Sequence, residues 1–189
     1  MLVQLASLTL ALAAPAASGA APTADAQPPA ADRELRKEVV VAAPVEAVWT
    51  AWTTSEGART FFAPGANIRL DVGGPYEILF APDAPKGRRG AEGLHVLAWI
   101  PQRMLAFEWN APPKFPEIRN GPRNTFVVVE LAPDGAGRTR VVLHHLGWGE
   151  GGQWPDVRAY FDKAWDYVLG NLVQRFAHGP IDWAPKQKG

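Results

Sequence analysis

Period two and period three-to-four alternate along the chain, and the switches between them mark out its elements. Glu34 to Ala43 carries the β-branched run Val39-Val40-Val41 between charged residues, which predicts a first strand. Pro44 stands where a first helical turn tolerates it, and Val45, Val48, Trp49 and Trp52 recur at helical spacing. A short amphipathic helix follows, and Thr54-Ser55-Glu56 offers capping hydroxyls for a second short helix ending near Phe61-Phe62. Period two then takes over. Ile68, Leu70 and Val72 alternate with Arg69 and Asp71, Gly73-Gly74 signals a tight turn, and Tyr76, Ile78 and Phe80 share a face opposite Glu77. A polar loop over Pro82–Gly90 leads to a strand over Gly93–Ile100. Pro101-Gln102-Arg103 then turns the chain into Leu105–Trp109. Ala111–Pro122 holds Pro112, Pro113, Pro116 and Pro122 and predicts a long surface loop. Asn124–Leu131 and Thr139–Leu146 are two further alternating strands. After the glycine-rich stretch 147–152, which reads as a lid or connector, Pro155 opens the longest helix. Val157, Phe161, Ala164, Trp165, Val168, Leu172 and Phe176 form one apolar stripe on it, and Gly179-Pro180 closes it.

Short connections between strands two and seven predict an antiparallel meander with one apolar face. The single long helix must cover that face. The expected class is α+β: a curved antiparallel sheet of about seven strands wrapped on a long C-terminal helix, with two short helices after strand one. No internal repeat is present. The domain is expected over residues 34–179, followed by a C-terminal tail at 180–189.

The first 31 residues follow a different pattern. They carry one charge, Asp25, and every basic residue lies at or after Arg33. The apolar run from Leu2 to Ala17 falls short of the roughly 20 residues a spanning helix needs. Ser18-Gly19-Ala20 and Ala24-Asp25-Ala26 resemble small-x-small cleavage sites. These features predict a secretory signal peptide over 1–26 and a linker over 27–33, although no Lys or Arg precedes the apolar run. The expected location is periplasmic or secreted, with no stable membrane insertion after processing.

Composition narrows the chemistry. In 189 residues, 19 Lys and Arg balance 19 Asp and Glu, so there is no electrostatic case for nucleic acid. The absence of cysteine excludes a disulfide scaffold, a thiol nucleophile and any cysteine-ligated metal. No Gly-x-Ser-x-Gly elbow occurs, and 147–152 lacks the Lys-Ser/Thr of a phosphate-binding loop. His144 and His145 are adjacent on a strand and face opposite ways, so they cannot ligate one metal together. His145 has inward parity, as an acid–base group, a hook for a ligand or a buried histidine bonded within the core. His95 shares a side with Leu97 and Trp99. Glu77 and Glu108 have outward parity, and Lys86, Arg88 and Arg89 read as a solvated hairpin tip, with docking of an acidic partner as the alternative.

Eight tryptophans exceed what a core of this size usually needs, and indoles suit an aromatic-walled pocket. The expected ligand-binding residues are Tyr76, Ile78, Phe80, Leu97, Trp99, Phe107 and Trp109 on the earlier strands. Val129, Leu143, His145 and Trp148 join them from the later strands, and Trp165 and Leu169 from the long helix. No catalytic residue, cofactor or metal is assigned, and the pattern does not specify an oligomeric state.

Several motifs then combine. Ala43-Pro44-Val45-Glu46-Ala47-Val48-Trp49 is followed by Phe61-Phe62-Ala63-Pro64 and Gly73-Gly74-Pro75-Tyr76. Pro101-Gln102-Arg103 precedes Leu105-Ala106-Phe107-Glu108-Trp109, Thr139 to Gly147 reads Thr-x-Val-x-Leu-x-His-x-Gly, and Trp165, Leu169 and Leu172 mark the final helix. In this order and spacing, from about Glu34 to Phe176, the chain resembles the START-like (SRPBCC, helix-grip) superfamily. The nearest branch resembles the C-terminal domain of the heat-shock-protein-90 ATPase activator. Phe61 stands where that branch usually has Trp, and the proline-rich loop and the N-terminal segment are less typical of it. The resemblance implies a helix-grip fold with a hydrophobic cavity and leaves the reaction open, since the superfamily includes lipid carriers, hormone receptors and cyclases. The leading expectation is an exported protein that binds a small hydrophobic or aromatic ligand between sheet and helix. One alternative is a cyclase- or hydrolase-like enzyme using His145 or Tyr76 with water. The other is a protein-interaction module, against which export argues because that chaperone is cytosolic.

Overall fold

The structure, a computed structural model, describes residues 34–184. The signal peptide and linker expected over 1–33 lie outside the described residues. Strand β1 (Leu35–Val41) leads into α1 (Val45–Thr53) and α2 (Ser55–Arg59). Three short strands follow, β2 (Gly65–Ile68), β3 (Tyr76–Leu79) and β4 (Gly90–Ala91), then β5 (Val96–Ile100) and β6 (Met104–Trp109). A one-turn helix α3 (Pro116–Arg119) precedes β7 (Thr125–Pro133) and β8 (Thr139–Leu146), and α4 (Trp154–His178) is the long C-terminal helix. Every strand pairing is antiparallel. Five strands run in the order β1-β8-β7-β6-β5 and three in the order β2-β3-β4.

The α+β class and the sheet curved around α4 agree with expectation, but the sheet has eight strands in a five-plus-three arrangement rather than seven. The extra strand, β4, lies at the end of the segment read as a loop. The two groups are joined where Gly73 N–H donates to the Val96 carbonyl and Val96 N–H to the Gly74 carbonyl, each at 2.8 Å. This explains a second difference. The sequence pattern runs strand two to Val72, yet β2 stops at Ile68 and Val72 is 72% exposed. Gly73-Gly74 does not make a two-residue hairpin; it leaves β2 early to pair with β5. A side chain at Gly74 would meet the Arg69 carbonyl at 2.4 Å, and Gly73 has φ +77°, so glycine is required at both.

Alternation holds where one face is buried. Thr125, Val127, Val129 and Leu131 point inward from β7, and Thr139, Val141, Leu143 and His145 from β8. They meet Val157, Phe161, Trp165, Val168, Leu169 and Leu172 of α4. Each such large apolar side chain contributes about 1.5–3 kcal/mol on burial. Lys37 of β1 reaches Asp162 and Asp166 of α4, both at 2.8 Å, which ties the edge strand to the helix. Thr139 donates its hydroxyl to the Ala43 carbonyl at 2.7 Å and anchors the turn between β1 and α1.

Two further expectations need correction. The proline-rich segment is not simply a surface loop: it contains α3, Ala111 is 3% exposed, and Phe115 and Ile118 pack on the core. On β5 the register shifts between Val96 and Ala98, so Leu97 and Trp99 no longer share a side; Val96 is buried opposite Phe107, while Leu97 and Trp99, on the edge strand of the five, are 42% and 38% exposed. Beyond α4 the chain folds back on α2. Ile181 N–H donates to the Thr60 carbonyl at 2.8 Å, and Trp183 Nε1–H to the Arg59 carbonyl at 2.6 Å. Among the described residues no helix is long and apolar enough to cross a membrane.

Candidate ligand-binding cavity

A cavity of about 600 Å³ opens between α4, the residues after β3, β4, and the segment from Trp109 to α3. Its floor is an aromatic triad. Phe62 and Trp109 lie 5.6 Å apart between ring centroids, Trp109 and Trp165 5.3 Å, and Phe62 and Trp165 5.9 Å. Phe161, Ala164 and Val168 of α4 form one wall, Phe80, Ala81, Gly90 and Ala91 the other, and Pro112 and Pro113 an end. Ala81, Ala91 and Ala164 leave space where larger side chains would fill it, while Gly90 lets β4 approach β3, since a Cβ there would meet the Ile78 carbonyl at 2.3 Å. The size lies within the usual range for small-molecule sites, about 300–1,000 Å³. The indole N–H of Trp109 is buried without a hydrogen-bond partner in the protein.

The rim is polar. Arg88, Arg89, Asn110, Arg119, Tyr160, Lys163 and Tyr167 border the cavity. The Arg89 guanidinium pairs with the Glu92 carboxylate at 2.8 Å. Arg119 donates to the carbonyls of Ala111 at 2.6 Å, Gly87 at 3.0 Å and Gly90 at 2.9 Å, and so ties α3 to the loop before β4. Burial draws the Arg119 pKa below its ordinary value, opposed by the nearby Glu92 charge.

His145 lies outside this cavity, in the filled core beside it, with no solvent exposure. Trp165 Nε1–H donates to His145 Nδ1 at 3.0 Å. An indole can only donate, so Nδ1 is unprotonated and the neutral ring carries its proton on Nε2. Nε2–H donates to the Thr125 hydroxyl at 2.7 Å, and that hydroxyl donates to the Trp109 carbonyl at 2.8 Å. Burial pulls the His145 pKa down from 6.5 to about 3. Both ring nitrogens are engaged inside the core, so His145 connects α4, β7 and β8 and presents no acid–base group to the cavity. Tyr76 is held in a similar way. It stacks on Phe107 at 4.0 Å, its hydroxyl donates to the Trp52 carbonyl at 3.0 Å, and burial raises its pKa well above the usual phenol value. His95 and His144 are on the outer face, with Glu108 at 2.8 Å and with Glu34 and Glu130, and neither meets His145.

Of the residues expected to bind ligand, Phe80, Trp109 and Trp165 line the cavity. Tyr76, Ile78, Phe107, Val129, Leu143, His145 and Leu169 are buried in the packed core. Trp148 is half-buried near the start of α4, its Nε1–H donating to the His145 carbonyl at 2.8 Å. Leu97 and Trp99, on the edge strand β5, lie outside the cavity. Sequence reasoning missed Phe62, the small wall residues, the proline end and the rim. Phe161, Ala164 and Val168 lie in the same stripe as Trp165, whereas the rim combines the polar side of α4 with Arg119 of α3 and with loop residues that have no periodic pattern. Arg88 and Arg89, expected at a solvated hairpin tip or an acidic-partner contact, border the cavity mouth.

A sheet gripping one long helix with an apolar cavity between them defines a START-like protein. Within that class, residues 42–177 match the model of the Activator of Hsp90 ATPase homolog 1-like protein family, and the chain belongs to that family. No curated protein matches the sequence. The fold is similar to that of protein MLL2253 from Mesorhizobium loti, with TM-score 0.60 and 20% identity over 79% of this chain and 100% of that one. An HSP90 activator from Plasmodium falciparum has TM-score 0.58 and 17% identity over 79% and 98%. DynU16, a protein of the dynemicin biosynthetic locus, has TM-score 0.56 and 21% identity over 79% of this chain and 49% of its own.

Proposed function

We propose that the protein binds a small hydrophobic ligand in the cavity beneath α4. The carrying observation is the cavity floored by the aromatic triad Phe62, Trp109 and Trp165 and walled in part by the small side chains Ala81, Ala91 and Ala164. The membership of a START-like family and the similarity to a protein of a biosynthetic locus support a small-molecule role. An enzyme working through His145 or Tyr76 is the weaker reading, since both groups spend their hydrogen bonds inside the core. The apolar N-terminal run supports export as part of the same proposal, which cell fractionation and intact-mass analysis of the natural protein would test. For the cavity, the test is titration with the neutral probe N-phenyl-1-naphthylamine. Saturable binding that quenches tryptophan fluorescence is expected, and Ala164→Leu should abolish it. A folded wild-type protein that takes up no probe would overturn the reading.

A further inference from the structure

We propose that the ligand is an anionic amphiphile, with an apolar body under α4 and a carboxylate, sulfonate, sulfate or phosphate at the rim. This rests on the cavity reading above and adds the ligand's charge. Four cationic side chains, Arg88, Arg89, Arg119 and Lys163, border the cavity, and no Asp or Glu lines it. The chain as a whole has no net charge, so the excess is local.

The neighbouring acids are otherwise engaged. Asp162 and Asp166 of α4 are turned to Lys37 of β1, away from this side of the helix. Glu92 is bonded to Arg89 and to the backbone N–H groups of Gly87 and Arg89, and neutralises one of the four cations. Arg119 is satisfied only by neutral carbonyls, so its charge is undiminished by a contacting carboxylate. Among the described residues, Arg88 and Lys163 have neither an ion-pair partner nor a side-chain hydrogen bond. They face the mouth from opposite walls, the loop before β4 and α4. An anion between them gains from both charges, while a neutral ligand gains nothing from either. A cationic ligand would meet the three cations that Glu92 leaves unneutralised.

The experiment compares two probes with the same anilinonaphthalene body, neutral N-phenyl-1-naphthylamine and anionic 8-anilinonaphthalene-1-sulfonate. Both are titrated against the full chain and against Arg88→Gln/Lys163→Gln, with thermal unfolding as the check that the variant is folded. The readout is the ratio of the two affinities. We expect the sulfonate to bind the wild type about threefold to thirtyfold tighter, and the double variant or 0.5 M salt to lower the ratio about threefold to tenfold. Ala164→Leu should remove both probes, placing them in the cavity. Equal affinities, or a ratio indifferent to the variant and to salt, would overturn the anionic assignment and leave the cavity reading standing. Sulfonate binding that survives Ala164→Leu would overturn it as well, by moving the probe to the surface. A folded protein that binds neither probe would remove the cavity reading and this inference together.

Discussion

The underside of α4 meets the sheet in two different ways. Toward β7 and β8, His145, Thr125, Trp165 and Phe161 are closed up, with aromatic contacts on the imidazole and every polar atom of the histidine ring paired. Toward β3 and β4, a few ångströms along the same helix, the surface is just as aromatic but stays open. Trp165 belongs to both regions: its ring is part of the cavity floor and its N–H closes the hydrogen-bond chain. The difference lies in what faces the aromatics. Large β-branched and ring side chains fill the first region, while Ala81, Ala91 and Ala164 border the second. Aromatic content alone therefore does not locate a ligand site; the size of the opposing residues does.

Trp165→Ala would damage both regions at once, and a loss of about 3–5 kcal/mol, read as a lower denaturant midpoint, is expected. A midpoint equal to wild type would show that the two regions do not share this wall. The closed region should also show acid sensitivity. With the folded pKa of His145 near 3 and the unfolded value near 6.5, only the unfolded chain takes up this proton between those limits. Its stabilising contribution is complete above pH 6.5 and falls as the pH drops toward 3, by at most about 1.4 kcal/mol per pH unit. Denaturant titrations across this range should give wild type a steeper acid slope than His145→Gln; equal slopes would contradict the buried neutral imidazole.

Trp165→Phe separates the two roles of the shared residue. It keeps an aromatic wall for the cavity but leaves His145 Nδ1 without a donor, so about 1–3 kcal/mol of stability should be lost with probe binding largely retained. Ala164→Leu does the converse: probe affinity should fall at least tenfold while the unfolding midpoint moves by less than about 1 kcal/mol. If it unfolded the protein instead, the space would be too small to be the site. Smallest is Glu108→Gln. Its partner His95 lies on the outer face, and the change should stay within about 0.5 kcal/mol at neutral pH.

Much of the fold was legible along the chain. The helix stripe from Val157 to Leu172 and the alternation of β6, β7 and β8 are local patterns, and one buried face against one wet face makes their parity readable. Parity failed on β5, where His95 to Ile100 is apolar on both sides. The bulge makes Leu97 the extra residue and sets Val96 and Trp99 opposite Phe107 and Leu105, and it depends on pairing with β6 and with Gly73-Gly74. The sequence by itself thus determined the class, the element order and the wealth of aromatics beneath one helix. Tertiary structure decided which aromatics are packed solid and which border open space, and it brought Arg88 from a loop and Arg119 and Lys163 from two different helices to one rim. Periodicity reports burial along a single element, whereas a cavity is a mismatch between elements distant in sequence, and its charge is set by which side chains their packing leaves unpaired.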